Sequence, residues 1–335
     1  MDPLTHALTS YALARALAPA APNRTTLLVV AAGIAPDLDL LANLAGPSAG
    51  MRFGGAVTHS ALGATVLAAV IAFSFCAWER KQPGDRHSYL AGFGFAALGI
   101  GSHLLLDLTN SFGLALLWPF SPERTAWSLT PLLDPILLSV LLLALLLPGL
   151  FRLITDEIGA RSGKRAGRGW AIAALVFLAF YCGARFLLHT RAVTLLGSSQ
   201  FHGRAALHVG AFADSANPFH WLGVVETEAS IEEVEVPLGP GTAFNPDRSR
   251  TYFKPEASPA LDAAHGAPEA MRFLALARFP CASIERTGDG WRVQFRDIGF
   301  SPLRDARGYL FAAVELDGQA RVIREELGHA EERAR

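Results

Sequence analysis

The sequence predicts an α-helical integral membrane domain of about five to six transmembrane helices, followed by a small β-rich extracytoplasmic domain. Charge is distributed unevenly: 23 of residues 1–190 are Lys, Arg, Asp or Glu, whereas 36 of the last 145 residues are. Soluble domains carry about 25% charged residues, a proportion that only the second part reaches. Apolar runs long enough to cross a bilayer are confined to the first part. We therefore predict a membrane domain at 1–190 and a β-rich domain at 191–335.

Six apolar segments approach the roughly 20 residues that a transmembrane helix needs. They lie at residues 3–18, 26–45, 56–78, 88–108, 132–151 and 170–188. The segment 26–45 is interrupted by Pro36, and the segment 3–18 is short and amphipathic, so that it spans, tilts or re-enters. No cleavable signal peptide is expected, because no basic residue precedes the first apolar run.

The orientation of these segments follows from Lys and Arg in the short loops, which favour the cytoplasmic side. The loops 79–87 and 152–169 are basic, and two spans separate them, so both are predicted to be cytoplasmic. The same rule predicts that residues 191–335 lie outside the cytoplasm. The predicted location is an inner (cytoplasmic) membrane of bacterial type.

The region after residue 190 contains short runs of alternating or β-branched residues separated by turn signals. Strands are predicted at residues 221–226, 231–236, 291–295, 309–314 and 320–323. Asp-Gly pairs between such runs are typical of hairpins. The Pro- and Gly-rich stretch 239–268 is predicted to be a long loop, and the charged end 324–335 a short helix or a frayed tail.

Histidine and aspartate residues interrupt the apolar segments at matched positions. They are His6, Asp37, Asp39, His59, His103 and Asp107. Ionisable groups inside a membrane are costly and usually functional. The topology derived from Lys and Arg alone predicts that all six lie near the outer boundary, although that derivation used none of them.

These residue types suit a divalent metal ion. His103 and Asp107 are four residues apart and share a helix face, and Asp37 and Asp39 flank Leu38 directly after a proline. Imidazole and carboxylate ligands fit zinc, and also manganese or iron. A single His near the end of a span is usually an interfacial or packed residue, but six polar residues at one depth favour a metal site.

The connection 109–128 is predicted to lie on the same outer side. Its aromatic residues fit an interfacial belt. Arg124 either grips a phosphate or carboxylate beside the metal, or makes an ordinary salt bridge or a contact with a lipid headgroup. Asp134 is either a helix cap or a site residue. His87 is excluded from the site because it lies in a basic loop on the opposite side, and His189 is a weaker, interfacial candidate.

Composition gives no support for a nucleic-acid-binding protein or for a site or framework built on cysteines. The net charge of −1 gives no indication of a nucleic-acid partner. The three cysteines are far apart and form neither a metal pattern nor a disulfide framework.

Short motifs in the first 150 residues resemble, in order, those of the YdjM-like membrane-bound metal-dependent hydrolases. The matching elements are Thr5-His6, Pro36-Asp37-Leu38-Asp39, Thr58-His59-Ser60, Ser102 to Asp107, Pro119-Phe120-Ser121, Arg124 and Asp134-Pro135. The segment 217–226 also resembles the start of the C-terminal domain in longer members. The chain departs from the family pattern at residues 53–57 and at Ser128, where an acidic residue is frequent.

This resemblance implies a multi-span inner-membrane hydrolase with His6, Asp37, Asp39, His59, His103 and Asp107 as metal or catalytic residues. Some members of the family are described as LexA-binding, which is hard to reconcile with a site on the outer face.

The residues together predict a membrane-bound metal-dependent hydrolase acting on a lipid or lipid-linked ester or phosphoester. In this reading Asp37 or Asp39 orients water or acts as general base, and Arg124 favours a phosphate. Two alternatives stay open: a metal- or proton-handling transporter, and a structural or regulatory membrane protein that works through residues 191–335. A homo-oligomer is compatible with the sequence, which does not define the oligomeric state.

Overall fold

The computed structural model describes residues 1–18, 23–39, 57–84, 86–157, 166–299 and 309–330. The contacts divide the chain into two compact units, the first ending at Phe186 and the second containing Leu187 and the residues after it.

The first unit is built from helices, and capping side chains mark where several of them begin. Its helices are α1 (Pro3–Leu17), α2 (Asn23–Ile34), α3 (Ala61–Glu79), α4 (Tyr89–Thr109), α5 (Pro135–Glu157) and α6 (Ala166–Ser198), the last of which continues into the second unit. Asp2, Ser60 and Ser88 each accept a backbone N–H from the first turn of the following helix. Such caps satisfy donors that have no partner within the helix.

Three described helices are long and apolar enough to cross a membrane: Ala61–Glu79, Tyr89–Thr109 and Gly167–Ser198. They correspond to the predicted spans 56–78, 88–108 and 170–188. Helix α5 contains a shorter apolar stretch, Pro135–Leu147. The total of five to six spans stays a prediction, since parts of the predicted span 26–45 and of the basic loop 152–169, with Arg161, Lys164 and Arg165, lie outside the described residues.

Helix α4 contacts α1, α2 and α3. Its contact with α2 is close because glycines face each other: a Cβ atom on Gly99 would be in hard contact with the carbonyl oxygen of Val29. Small residues let helix backbones approach in membranes. Around this contact, Leu28 and Ala32 of α2 pack with Ile100 of α4. The close approach fixes the position of the C-terminal half of α4, which carries His103 and Asp107.

A buried polar cluster joins α2 and α3 at the end of α3 away from His59. The Glu79 carboxylate lies 3.0 Å from His87 Nδ1 and accepts the His87 backbone N–H at 2.9 Å. The other ring nitrogen of His87 lies 3.0 Å from the Thr25 hydroxyl. Since nineteen helical residues span about 28 Å, His87 is far from the residues that precede α3.

A second buried network holds α5 against α6. Asp134 accepts the backbone N–H groups of Ile136 and Leu137, so it caps α5, the first of the two roles considered for it. Its other oxygen accepts the Tyr181 hydroxyl at 2.7 Å. Arg185, which is buried, donates to the carbonyl oxygen of Leu129 at 2.8 Å. This network positions the end of the 110–134 connection.

In its described residues, the second unit has two four-stranded antiparallel sheets, with strand orders β3-β4-β5-β6 and β10-β9-β8-β7, and a short β1–β2 hairpin. The strands are β1 (Gln200–Phe201), β2 (Arg204–Ala205), β3 (His208–Ala213), β4 (His220–Glu226), β5 (Ser230–Pro237), β6 (Arg250–Phe253), β7 (Pro280–Thr287), β8 (Gly290–Asp297), β9 (Tyr309–Leu316) and β10 (Val322–Ala330). Strands β4, β5, β8 and β9 coincide with predicted strands. The β-rich character of this region is therefore confirmed.

Two predictions for this unit were wrong. The stretch 239–268 is not a continuous loop, because it contains β6, helix α7 (Pro259–His265) and the start of α8 (Pro268–Leu274). Ser258 caps α7 ahead of Pro259, which stands at a favoured helix-start position. The charged segment after residue 323 is a strand as far as Ala330, since β10 pairs with β9. Charged side chains are usual on such an edge strand, and the predicted tail beyond residue 330 lies outside the described residues.

Candidate metal centre

Four segments of the first unit bring the six predicted His and Asp residues together. Helix α1 supplies His6, the 3₁₀ turn after α2 supplies Asp37 and Asp39, the segment before α3 supplies His59, and α4 supplies both His103 and Asp107. We call these six residues the His–Asp centre. His6, His59, His103 and Asp107 are buried, and Asp37 and Asp39 are partly buried.

His103 is oriented by a backbone carbonyl group. Its Nδ1 lies 2.8 Å from the carbonyl oxygen of Gly33 in α2. A carbonyl oxygen only accepts, so Nδ1 carries a proton and donates it to Gly33, and Nε2 is the nitrogen available to a metal ion. This Nε2 faces the interior of the His–Asp centre.

His59 is oriented in the same way by a carboxylate. Its Nδ1 lies 3.1 Å from Asp39 Oδ2, and the Thr58 hydroxyl donates to the same oxygen at 2.9 Å. An ionised carboxylate only accepts, so Nδ1 of His59 donates to Asp39, and Nε2 is the nitrogen that faces the His–Asp centre. The two Nε2 atoms, of His59 and of His103, are 3.1 Å apart.

Asp107 lies at the middle of the cluster, and its two oxygens face different neighbours. Oδ2 is 3.2 Å from His103 Nε2 and 3.4 Å from His59 Nε2. Oδ1 is 3.2 Å from His6 Nε2 and accepts the Asn110 side-chain amide at 3.3 Å. The N-terminal ammonium group of Met1 also contacts Oδ1.

His6 and Asp37 complete the cluster on one side of His103. The rings of His6 and His103 stack with centroids 3.7 Å apart, and Asp37 Oδ1 lies 3.7 Å from His103 Nε2. Among the described residues, neither His6 Nδ1 nor Asp37 Oδ2 has a hydrogen-bond partner. Unlike His59 and His103, His6 therefore has no hydrogen bond at Nδ1 that fixes its tautomer.

The donor atoms of the His–Asp centre fit a divalent metal ion. Two groups of three residues, His59/His103/Asp107 and His6/Asp37/His103, each place one ligand atom per residue within 4.8 Å of the others. Two ligands of one tetrahedral zinc ion lie about 3.3 Å apart when each bond is about 2.0–2.1 Å long. The 3.1 Å between the two Nε2 atoms matches this spacing. A metal ion at this position would contact both Nε2 atoms and the Asp107 carboxylate.

Arg124 belongs to the connection between α4 and α5, where Leu114 and Thr125 pair as in a short hairpin. Its guanidinium donates to the carbonyl oxygen of Gly113 at 3.3 Å. Burial lowers the pKa of Arg124, and the negative charge of Asp39 opposes this shift. Asp39 is thus the residue of the His–Asp centre whose charge acts on Arg124.

The same connection exposes large apolar side chains. Phe120 is 86% exposed, and Leu117, Trp118 and Trp127 are also exposed. Exposed aromatic residues of this kind are typical of the membrane interface.

Sequence reasoning did not identify three groups that orient the centre: the carbonyl group of Gly33, the hydroxyl of Thr58 and the side-chain amide of Asn110. Asn110 follows Asp107 by three residues, a helical spacing that was a usable signal. The carbonyl group of Gly33 gave no such signal, because every residue has a backbone carbonyl group. His87 and Asp134 take part in other networks, and the ring of His189 lies 5.5 Å from that of Trp221 in the second unit.

A family model described as the YdjM inner membrane protein matches residues 1–192. None of the curated proteins and none of the solved structures matches the chain. The matched range covers more than half of the sequence and includes the whole His–Asp centre and the three apolar helices up to residue 192. The chain is a membrane protein that belongs to the YdjM inner membrane protein family.

Proposed function

We propose that this protein is a membrane-bound metal-dependent hydrolase that acts on a lipid or lipid-linked ester or phosphoester at the outer face of the inner membrane. The observation that carries the proposal is the approach of His59 Nε2 and His103 Nε2 to 3.1 Å, beside Asp107 Oδ2. Each histidine is oriented through its other nitrogen, as is usual for metal-ligating histidines.

His59, His103 and Asp107 are the residues that hold the ion. Two imidazoles and one carboxylate form a ligand set found in catalytic zinc sites, where a fourth position is left for water or substrate. Zinc is the expected metal, and manganese and iron accept the same ligands. When bound, the ion supplies Lewis acidity and lowers the pKa of water toward neutrality.

The two carboxylates after α2 have different roles. Asp39 is engaged with His59 and Thr58, so it orients the imidazole. Asp37 Oδ2 has no hydrogen-bond partner among the described residues, and its Oδ1 is 3.7 Å from His103 Nε2. Asp37 is therefore the better general base, able to accept a proton from the attacking water.

Arg124 and the exposed side chains of its loop support this substrate class. A guanidinium group recognises phosphate oxygens through paired hydrogen bonds, and Arg124 lies within electrostatic reach of Asp39. The exposed side chains of Leu117, Trp118 and Phe120 suit contact with lipid next to this cation. A lipid phosphoester combines both features, with its chains at the loop and its phosphate at Arg124.

The outer location is supported by the loop charges. Arg80, Lys81 and Arg86 follow α3 at the end opposite His59, and basic loops favour the cytoplasm. The His–Asp centre then faces the outer leaflet, and residues 191–335 follow the last span on the same side.

Hydrolysis by the purified full chain in mixed micelles tests the proposal, with phosphatidic acid, phosphatidylglycerol and diacylglycerol as substrates. We expect turnover with added zinc or manganese that is lost on chelation and reduced by about 100-fold or more in His103→Ala. Arg124→Gln should slow the two phosphate-containing lipids by about 10-fold or more and change diacylglycerol turnover little. His208→Ala, which alters a histidine whose side chain is 76% exposed in the second unit, is the matched control.

Metal-loaded, folded protein that hydrolyses none of the three lipids would contradict this substrate class. Unchanged turnover in His103→Ala would contradict the site. Uptake of labelled zinc into proteoliposomes by such an inactive protein would favour transport instead.

A further inference from the structure

We infer that the His–Asp centre binds two divalent ions bridged by the carboxylate of Asp107. The inference rests on the metal site of the proposed function and extends it from one ion to a pair. It starts from the different surroundings of the two Asp107 oxygens.

The Oδ2 side holds a complete set of ligands for one ion. Oδ2 is 3.2 Å from His103 Nε2 and 3.4 Å from His59 Nε2, and the two nitrogens are 3.1 Å apart. The three distances are nearly equal, as expected for three ligands of one ion with one position left open.

The Oδ1 side has further donors, and the Met1 ammonium group that contacts Oδ1 already puts a positive charge at the place that a second ion would take. His6 Nε2 lies 3.2 Å from Oδ1, and the group formed by His6, Asp37 and His103 converges within 4.8 Å. His103 cannot serve two ions, because its Nδ1 donates to Gly33 and its Nε2 has a single lone pair. His6 and Asp37 therefore need a different third ligand, and Asp107 Oδ1 is the oxygen in contact with His6.

Two ions held in this way would share one carboxylate, with His59 and His103 on one side and His6 and Asp37 on the other. Asp37 would bind through Oδ1, which leaves Oδ2 to accept a proton from water. Hydrolytic sites with two metals place them about 3.5–4 Å apart and stabilise both the attacking and the leaving oxygen of a phosphoester. This pairing explains why the chain brings five donor residues together when a single catalytic ion needs three.

The metal content of the full chain tests the inference. Purified protein is loaded with zinc in detergent, desalted and analysed by elemental mass spectrometry against protein concentration. We expect about two ions per chain in the wild type, about one in the double variant His6→Ala/Asp37→Asn, and about two in His208→Ala.

Three results are distinguishable in the wild type. Two ions support the pair. One ion, lost in His59→Ala and retained in the His6→Ala/Asp37→Asn variant, overturns the pair and leaves the proposed single-metal site intact. Absence of bound zinc and manganese overturns both.

A measurement on the wild type alone guards against variants that fail to fold. Loading with manganese and recording the electron paramagnetic resonance spectrum reports on distance between ions. Two Mn²⁺ ions at the expected spacing give an exchange-coupled signal, whereas the six-line spectrum of an isolated ion at full loading overturns the inference.

Discussion

The imidazole rings of His59 and His103 face each other through Nε2 at 3.1 Å, and each ring is held from behind by an oxygen atom at Nδ1. For His59 this oxygen belongs to Asp39, and for His103 it is the carbonyl oxygen of Gly33. Both Nε2 atoms are thus directed toward the centre by contacts that involve no metal. A metal-binding site whose ligands are already oriented loses less conformational entropy on binding.

The Gly33 contact leads to a prediction about Gly99, which holds α2 close to α4. A Cβ atom at Gly99 would press on backbone atoms of Val29 and Gly33, and backbone cannot rotate away. We expect Gly99→Ala to separate the two helices, destabilise the protein by about 1–3 kcal/mol and lower its affinity for zinc. Thermal unfolding in detergent and zinc titration measure the two effects.

Gly94→Ala on the same helix is the matched control, because a Cβ atom there has nothing within 4 Å. It should leave zinc affinity unchanged and stability unchanged or slightly higher, since Ala favours helix over Gly. Equal zinc affinity in the Gly99 and Gly94 variants would show that the close helix contact does not position His103.

The residues of the His–Asp centre were predictable because Asp and His are costly inside apolar segments and therefore stand out in the sequence. The partners of these residues were less predictable. Asp39 and Thr58 are nineteen residues apart in sequence, and Gly33 and His103 are seventy apart. Such pairings depend on how the helices pack, which a pattern along one helix does not define.

In the second unit, the alternation of residues predicted β4 and β5, whose register is an uninterrupted antiparallel ladder. Helix α7 was missed although Ser258 and Pro259 formed a helix-start signal, because the Pro and Gly content around them dominated the interpretation. The strand predicted at 320–323 overlaps only the first two residues of β10, because the charged residues that follow indicate solvent rather than a particular secondary structure. An edge strand tolerates those charges, and only its pairing with β9 defines it.

The predicted orientation of the chain is testable by cysteine labelling. In a background lacking Cys76, Cys182 and Cys281, single cysteines are placed at Glu123 and Glu256, which are exposed, and at Gln82 in the basic loop. A membrane-impermeant maleimide added to intact spheroplasts should label the first two sites and reach Gln82→Cys only after permeabilisation. Labelling of Gln82→Cys alone in intact spheroplasts would place the His–Asp centre on the cytoplasmic side.

Glu232 of β5 provides a prediction on pH dependence in the second unit. The residue is buried and accepts hydrogen bonds from Ser230 and Ser249 at 2.7 Å and from Thr251 at 2.8 Å. Burial raises the pKa of Glu232, but these hydrogen bonds to the carboxylate lower the pKa by more than burial raises it. The net pKa is therefore below its ordinary value. Ionised Glu232 therefore stabilises the folded state above its unfolded pKa of about 4.3.

That stabilisation is lost as the pH falls through the lower pKa of the folded state. We expect Glu232→Gln to reduce the protection of β4 and β5 against hydrogen–deuterium exchange at pH 7, by about 1–3 kcal/mol in opening free energy. The difference from wild type should shrink as the pH falls below about 4. Glu235→Gln on the same strand, whose side chain is 81% exposed, should match the wild type at every pH. A difference for Glu232→Gln of the same size at pH 7 and pH 3 would show that the shape of the side chain, rather than its charge, supports this sheet.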